Sequence, residues 1–171
     1  MRGDQARLGT FFVLLAVTLA GAGVAAALVL AGQPFWAGAA VALTGLALVG
    51  ARWRASPSPR FLLVEAVAER VVEAALLGAI AWVALPAEPR LGGAAIAALG
   101  VSYLRAYLQI RSEGLGFEVT VPAWFRAAPA SFLALGLLMG AVEILVWGLV
   151  GFSTSVLILE TIQVGRQREP R

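Results

Sequence analysis

Six apolar stretches, separated by short polar or Pro/Gly-rich segments, follow one another along the chain. Each is close to the roughly 20 residues that a helix needs to cross the hydrocarbon core of a bilayer. We therefore expect an all-α fold, an integral membrane bundle of six transmembrane helices that forms a single domain over residues 1–171. The expected helices cover 10–31, 35–51, 61–85, 91–110, 127–147 and 151–164.

The third apolar stretch carries acidic residues at every fourth position: Glu65, Glu69 and Glu73. Residues four apart lie on the same side of an α-helix, so the three carboxylates share one stripe. A charged group at the centre of a membrane helix costs about 2.5 to 3.5 kcal/mol on insertion scales, and such groups usually face a cavity or a partner. The pattern predicts a buried polar site.

Composition agrees with a membrane protein, because 60% of the 171 residues are hydrophobic and only 13% are charged. The chain contains no cysteine and no histidine. Disulfides, thiolate or imidazole metal ligands and histidine acid–base chemistry are thereby excluded. A bound metal would need oxygen ligands, which favours magnesium, manganese or calcium. Apart from the excess of arginine, nothing indicates nucleic acid as a partner.

Basic residues are concentrated in alternate turns of the expected bundle, which indicates its orientation, since short basic loops stay on the cytoplasmic side. The opposite turns hold only Glu88 and Arg90. We expect a multi-pass protein of the inner (plasma) membrane with both termini in the cytoplasm. The basic residues on the cytoplasmic side are Arg2, Arg7, Arg52, Arg54, Arg60, Arg111, Arg126, Arg166, Arg168 and Arg171.

A spaced motif joins the second and third stretches. Ala51 and Arg52 are followed after eight residues by Phe61, and Glu65 and Glu69 follow at steps of four. This spacing resembles the signature of the CDP-alcohol phosphatidyltransferase family, DxxDGxxAR, eight residues, GxxxDxxxD.

The resemblance continues beyond the motif. Residues 101–107, VSYLRAY, and 111–117, RSEGLGF, are similar to the family's fourth helix and the loop after it. The resemblance therefore covers most of the chain. It implies the family's architecture, which has six transmembrane spans and a cytoplasmic active site.

In that family, four aspartates hold two divalent cations, usually magnesium, against the pyrophosphate of a CDP-linked lipid or alcohol, and CMP leaves during phosphoryl transfer. Two metal ions can stabilise the attacking and the leaving oxygen together. The resemblance implies that Glu65 and Glu69 are metal ligands for Mg²⁺ or Mn²⁺. The alternative is that they form ion pairs with Arg52, Arg54 or Arg105 in a polar cavity. The resemblance also implies that Glu69 is the catalytic residue that deprotonates the acceptor alcohol.

The CDP side of the site would contain Thr44, Ala51 and Arg52. The sequence departs from the signature here, since Thr44 stands at the first aspartate position and Ala47 at the second, with Leu48 in place of the first glycine. Phe61 likewise replaces the second glycine. The remaining carboxylates could hold one hydrated magnesium ion or none.

The resemblance also implies three candidates for binding the phosphate of the acceptor alcohol: Arg105, Arg111 and Arg126. An intramembrane arginine usually faces polar partners, so a salt bridge is the alternative for Arg105. The pair Arg70 and Glu73 is expected on a helix surface or at a dimer contact.

Three classes of function remain open. The chain is either a diverged transferase of phospholipid biosynthesis or an inactive pseudoenzyme that acts as partner or regulator of an intact synthase. A small transporter is the third class, disfavoured by the absence of internal repeats. The expected partners are the lipid bilayer, a CDP-linked lipid or alcohol, and a second subunit, either another copy or a related synthase.

Overall fold

The computed structural model describes residues 2–54, 59–117, 119 and 124–167, and within them the side chains of 12–47, 66–117, 119 and 128–167. The described residues form six α-helices, which confirms the all-helical fold. The helices are α1 (Arg2–Leu30), α2 (Pro34–Arg54), α3 (Pro59–Ala87), α4 (Pro89–Gly114), α5 (Trp124–Met139) and α6 (Val142–Arg166).

Four segments of these helices are long and apolar enough to cross a membrane: Phe12–Leu30, Ala66–Ala87, Pro89–Gly114 and Val142–Arg166. Within the described residues, the apolar parts of α2 and α5, Pro34–Ala47 and Ala128–Met139, are shorter. The described residues thus contain four candidate spans of full length, as expected of a multi-pass membrane protein.

The turn between α5 and α6 lies earlier than the sequence predicts. The expected fifth helix, 127–147, contains Gly140, which adopts a left-handed φ of 67° and ends α5. The amide of Ala141 then donates to the carbonyl of Gly136 at 3.0 Å. No polar residue marks this turn, because a single glycine is sufficient to reverse the chain.

The helices pack as a closed ring in the order α1, α2, α5, α6, α4, α3, and α3 also contacts α5. Helix α3 supplies the largest share of the buried aliphatic side chains, including Leu76, Leu77 and Ile80. Leu137 of α5 and Leu149 of α6 belong to the same core. The helix that carries the glutamates is therefore one of the most enclosed helices of the bundle.

Helices α2 and α5 approach closely at Gly38. A β-carbon added there would lie 2.8 Å from the backbone nitrogen of Leu138 and 2.9 Å from the carbonyl oxygen of Ala134. Small residues allow this kind of helix contact in membranes. Gly45, two turns further along α2, has nothing within 4 Å of the same point.

Replacing Gly38 by Ala is expected to destabilise the protein by about 1 to 3 kcal/mol, because the methyl group forces α2 away from the α5 backbone. The control Gly45→Ala gains helix propensity and meets no neighbour. Thermal unfolding in detergent should give a lower Tm for the first variant than for the second. Equal Tm values would contradict the close contact.

Candidate functional site

The part of the motif that lies on α2 offers few groups that could bind a metal ion or a substrate. Thr44 is half-buried, and its hydroxyl donates to the carbonyl of Ala40 in the same helix at 2.7 Å. Ala47 is exposed and offers only a methyl group. The Thr44 hydrogen is thus committed to its own backbone.

On the helix-three half, Glu69 is partly buried on α3. The side chains of Glu65, Ala51, Arg52 and Arg126 lie outside the described residues, so their roles stay predictions. The same holds for Leu48 and Phe61.

The donor set does not fit a pair of divalent ions. Among the described side chains, no group of three or more His, Cys, Asp or Glu residues is arranged to hold a metal. A two-metal centre needs several anionic oxygens around both ions. The side chains of α2 include a single oxygen, the neutral hydroxyl of Thr44, and no carboxylate.

A buried ion pair joins α4 to α6. Arg105 Nε donates to Glu160 Oε1 at 2.9 Å, and the two side chains are 8% and 0% exposed. In this structure Arg105 therefore forms a salt bridge, which is the alternative to phosphate binding given above. Glu160 lies 55 residues further along the chain, and its partner could not be identified from local spacing.

A second polar cluster joins α3 to α4. Arg70 Nη1 contacts Glu73 Oε2 at 2.7 Å and also donates to the hydroxyl of Ser102. The same hydroxyl donates to Glu73 Oε2 at 2.5 Å. The expectation of a surface or dimer-contact pair for Arg70 and Glu73 was wrong, because Glu73 is only 2% exposed and turns toward α4.

Ser102 and Arg105 lie one turn apart on α4 and connect the two clusters. We call these residues the polar layer: Arg70, Glu73, Ser102, Arg105 and Glu160. Its charges balance, with two guanidinium groups and two carboxylates. Sequence reasoning missed Ser102, although its position three residues before Arg105 in an apolar helix was a usable signal.

The three candidate phosphate ligands do not form one described cluster. Arg105 is buried with Glu160, whereas Arg111 is exposed in the last turn of α4. At the opposite end of the bundle, Glu88, Arg90 and Glu143 line an open cavity of about 240 Å³.

The chain shares its fold with a solved phospholipid synthase, which confirms the fold that the motif resemblance implies. One similar solved structure is that of Mycobacterium tuberculosis phosphatidylinositol phosphate synthase, crystallised with CDP-DAG bound. The two share a TM-score of 0.71 and 18% sequence identity, over 95% of this chain and 90% of that chain. No protein-family model matches the sequence, and no curated protein matches it either.

Proposed function

We propose that the protein is a diverged, non-catalytic member of the CDP-alcohol phosphatidyltransferase family that acts in the membrane as a partner of an intact phospholipid synthase. The observation that carries this proposal is the donor set of α2. Thr44 offers only a neutral hydroxyl, which donates to the carbonyl of Ala40, and Ala47 offers no ligand. Transfer by two metal ions needs carboxylates at these positions.

The ion pairs of the bundle support the same conclusion. Arg105 is neutralised by Glu160 in a buried pair, and Glu73 is neutralised by Arg70. The intramembrane charges of these residues are therefore satisfied within the chain. Such pairing maintains a folded bundle without a substrate.

A second candidate function is transfer supported by a single magnesium ion. It is favoured by the preserved spacing of Glu65 and Glu69 and by the partial burial of Glu69. Magnesium often keeps several waters and uses one or two carboxylates. In this case the donor would be a CDP-linked lipid and the acceptor an alcohol, with release of CMP.

Release of CMP separates the two candidates. Purified protein in lipid nanodiscs with CDP-diacylglycerol, Mg²⁺ and a panel of alcohols is expected to release no CMP above a protein-free blank. Glu69→Gln should give the same result, as should the control Glu113→Gln, whose carboxylate accepts from Gln109 on the exposed face of α4. Release that is lost in Glu69→Gln and kept in Glu113→Gln would establish the transferase instead.

The partner role has its own test. We expect the tagged protein, extracted from its native membrane in mild detergent, to co-purify with a synthase that carries the complete four-aspartate signature. Deletion should change the phospholipid composition through that enzyme. Recovery of the protein alone, together with an unchanged lipid composition on deletion, would contradict this role.

The finer topology is part of the proposal. We propose that all six helices cross the inner membrane and that both termini are cytoplasmic, since arginines occupy alternate turns. We further propose a homodimer or a heterodimer with the related synthase. A reporter fused to the C-terminus is expected to be active only in the cytoplasm, and activity outside would overturn this orientation.

A further inference from the structure

An open cavity of about 240 Å³ lies at the end of the bundle opposite the motif. It forms where two helices begin, since Pro89 is the first residue of α4 and Glu143 is the second residue of α6. Glu69 of the motif lies about 27 Å from the α3 end on this side, at 1.5 Å per residue. The residues that line the cavity are Glu88, Pro89, Arg90, Leu91 and Glu143.

Three charged side chains of the cavity are available to a ligand. Glu88, Arg90 and Glu143 are all exposed. Within the part of the chain that the structure describes, none of them forms an ion pair or a side-chain hydrogen bond. Glu88 occupies the N-cap position of α4, but its carboxylate does not cap the helix. The cavity thus offers two anionic acceptors and one cationic donor whose bonding capacity is unused.

The cavity lies at the boundary of the apolar spans. The candidate spans of α4 and α6 begin at Pro89 and Val142, and that of α3 ends at Ala87. Side chains at this level meet lipid headgroups, whereas those further along the helices meet hydrocarbon. Trp147, one turn after Glu143 in α6, is 49% exposed, and tryptophan is typical of this interfacial layer. The charges therefore lie on the water side of the cavity and the apolar contacts on the membrane side.

We propose that the cavity binds a phospholipid whose headgroup combines a phosphate with a primary ammonium group, as in phosphatidylethanolamine. Arg90 binds the phosphate, and the carboxylates of Glu88 and Glu143 accept hydrogen bonds from the ammonium group. Leu91 and Trp147 contact the apolar part of the same lipid. This site goes beyond the proposed function, because it lies at the opposite end of the bundle and does not depend on whether CMP is released.

The charges of the cavity distinguish between headgroups. An anionic headgroup without an ammonium group would bring its negative charge beside the two carboxylates of Glu88 and Glu143. A choline headgroup carries the positive charge but has no N–H group, whereas a primary ammonium has three donors. Hydrogen bonds between charged groups are roughly twice as strong as neutral ones. The first amides of α4 and α6 add a positive potential that favours the phosphate beside Arg90.

Native mass spectrometry tests this recognition. Full-length protein in detergent is titrated with phosphatidylethanolamine or with phosphatidylcholine of the same acyl chains, and bound lipid is counted from the mass. We expect phosphatidylethanolamine to bind at least about tenfold more tightly, the contribution of one charge-assisted hydrogen bond. Equal affinities for the two lipids would overturn the proposal.

Variants of the cavity separate the two parts of the headgroup. Glu88→Gln/Glu143→Gln should reduce the affinity for phosphatidylethanolamine to that for phosphatidylcholine, since the charged acceptors are lost. Arg90→Gln should weaken the binding of both lipids by a similar factor, because both carry the phosphate. The control Glu113→Gln, near the other end of α4, should match the native protein. All four side chains are exposed, so the variants should keep the native Tm.

Two outcomes with these variants would contradict the assigned contacts. One is a preference for phosphatidylethanolamine that survives in Glu88→Gln/Glu143→Gln. The other is an Arg90→Gln protein that binds both lipids as tightly as the native protein does.

Free phosphoethanolamine distinguishes the lipid from a soluble ligand of the same chemistry. Added to the native protein in phosphatidylcholine nanodiscs, it lacks the apolar contacts with Leu91 and Trp147, and we expect no rise in Tm. A rise in Tm that disappears in Glu88→Gln/Glu143→Gln would show that the cavity takes a soluble ligand and would overturn the lipid.

Discussion

Replacing Arg105 by Met is expected to destabilise the protein by about 3 to 5 kcal/mol, because it leaves the fully buried carboxylate of Glu160 without its partner. The effect arises from the uncompensated charge, since the aliphatic part of the side chain is largely retained. Unfolding of the purified protein by heat or by denaturing detergent should reveal it as a large loss of stability.

The double variant Arg105→Met/Glu160→Met distinguishes this cause from a loss of packing. Replacing both members of a buried ion pair by apolar residues of similar volume is often neutral or stabilising. We expect the double variant to regain most of the stability that Arg105→Met loses. A double variant as unstable as the single one would show that the pair is not the origin of the effect.

The Arg70–Glu73 pair is expected to respond asymmetrically. Arg70→Met should cost about 3 kcal/mol, since Glu73 is 2% exposed and, among the described residues, keeps the hydroxyl of Ser102 as its hydrogen-bond donor. Glu73→Leu should cost clearly less, because the side chain of Arg70 is 21% exposed and its head can move toward water. The measurement is the difference in Tm between the two single variants.

Ser102→Ala provides the matched test of the bridge between α3 and α4. It removes one hydroxyl that both accepts from Arg70 and donates to Glu73, at an expected cost of about 1 to 3 kcal/mol. Ser155→Ala is the control, since the hydroxyl of Ser155 bonds only to the carbonyl of Gly151 among the described residues and is exposed. Equal losses of stability in Arg70→Met and Glu73→Leu would contradict the burial of Glu73. Equal losses in Ser102→Ala and Ser155→Ala would contradict the bridging role of the Ser102 hydroxyl.

Much of the fold could be predicted from the sequence, since the apolar stretches and their punctuation fix the number and order of the helices. The motif spacing from Ala51 to Glu69 pointed to the correct fold although it keeps none of the signature's four aspartates. The spacing of the motif residues depends on the geometry of the helix bundle. The residue types at the four aspartate positions depend instead on the chemistry of the site. The α5–α6 turn could not be placed, because Gly140 resembles the many helical glycines around it.

The pairing of the charges was beyond sequence reasoning. Local spacing suggested that Arg70 and Glu73 are neighbours, but it could not show that they face Ser102 rather than lipid. Arg105 and Glu160 meet only because the ring brings α4 beside α6. Contacts between helices that are distant in the chain depend on tertiary packing, which residue periodicity does not encode.

The 55-residue separation of Arg105 and Glu160 also bears on the synthesis of the protein. The cluster of Arg70, Glu73 and Ser102 is complete once α3 and α4 have entered the bilayer as a hairpin. Arg105 enters with them, but its counterion is translated later, by about 3 to 11 seconds at 5 to 20 residues per second. During that interval Arg105 has not yet met Glu160, so the buried contact between α4 and α6 can form only after α6 has been made.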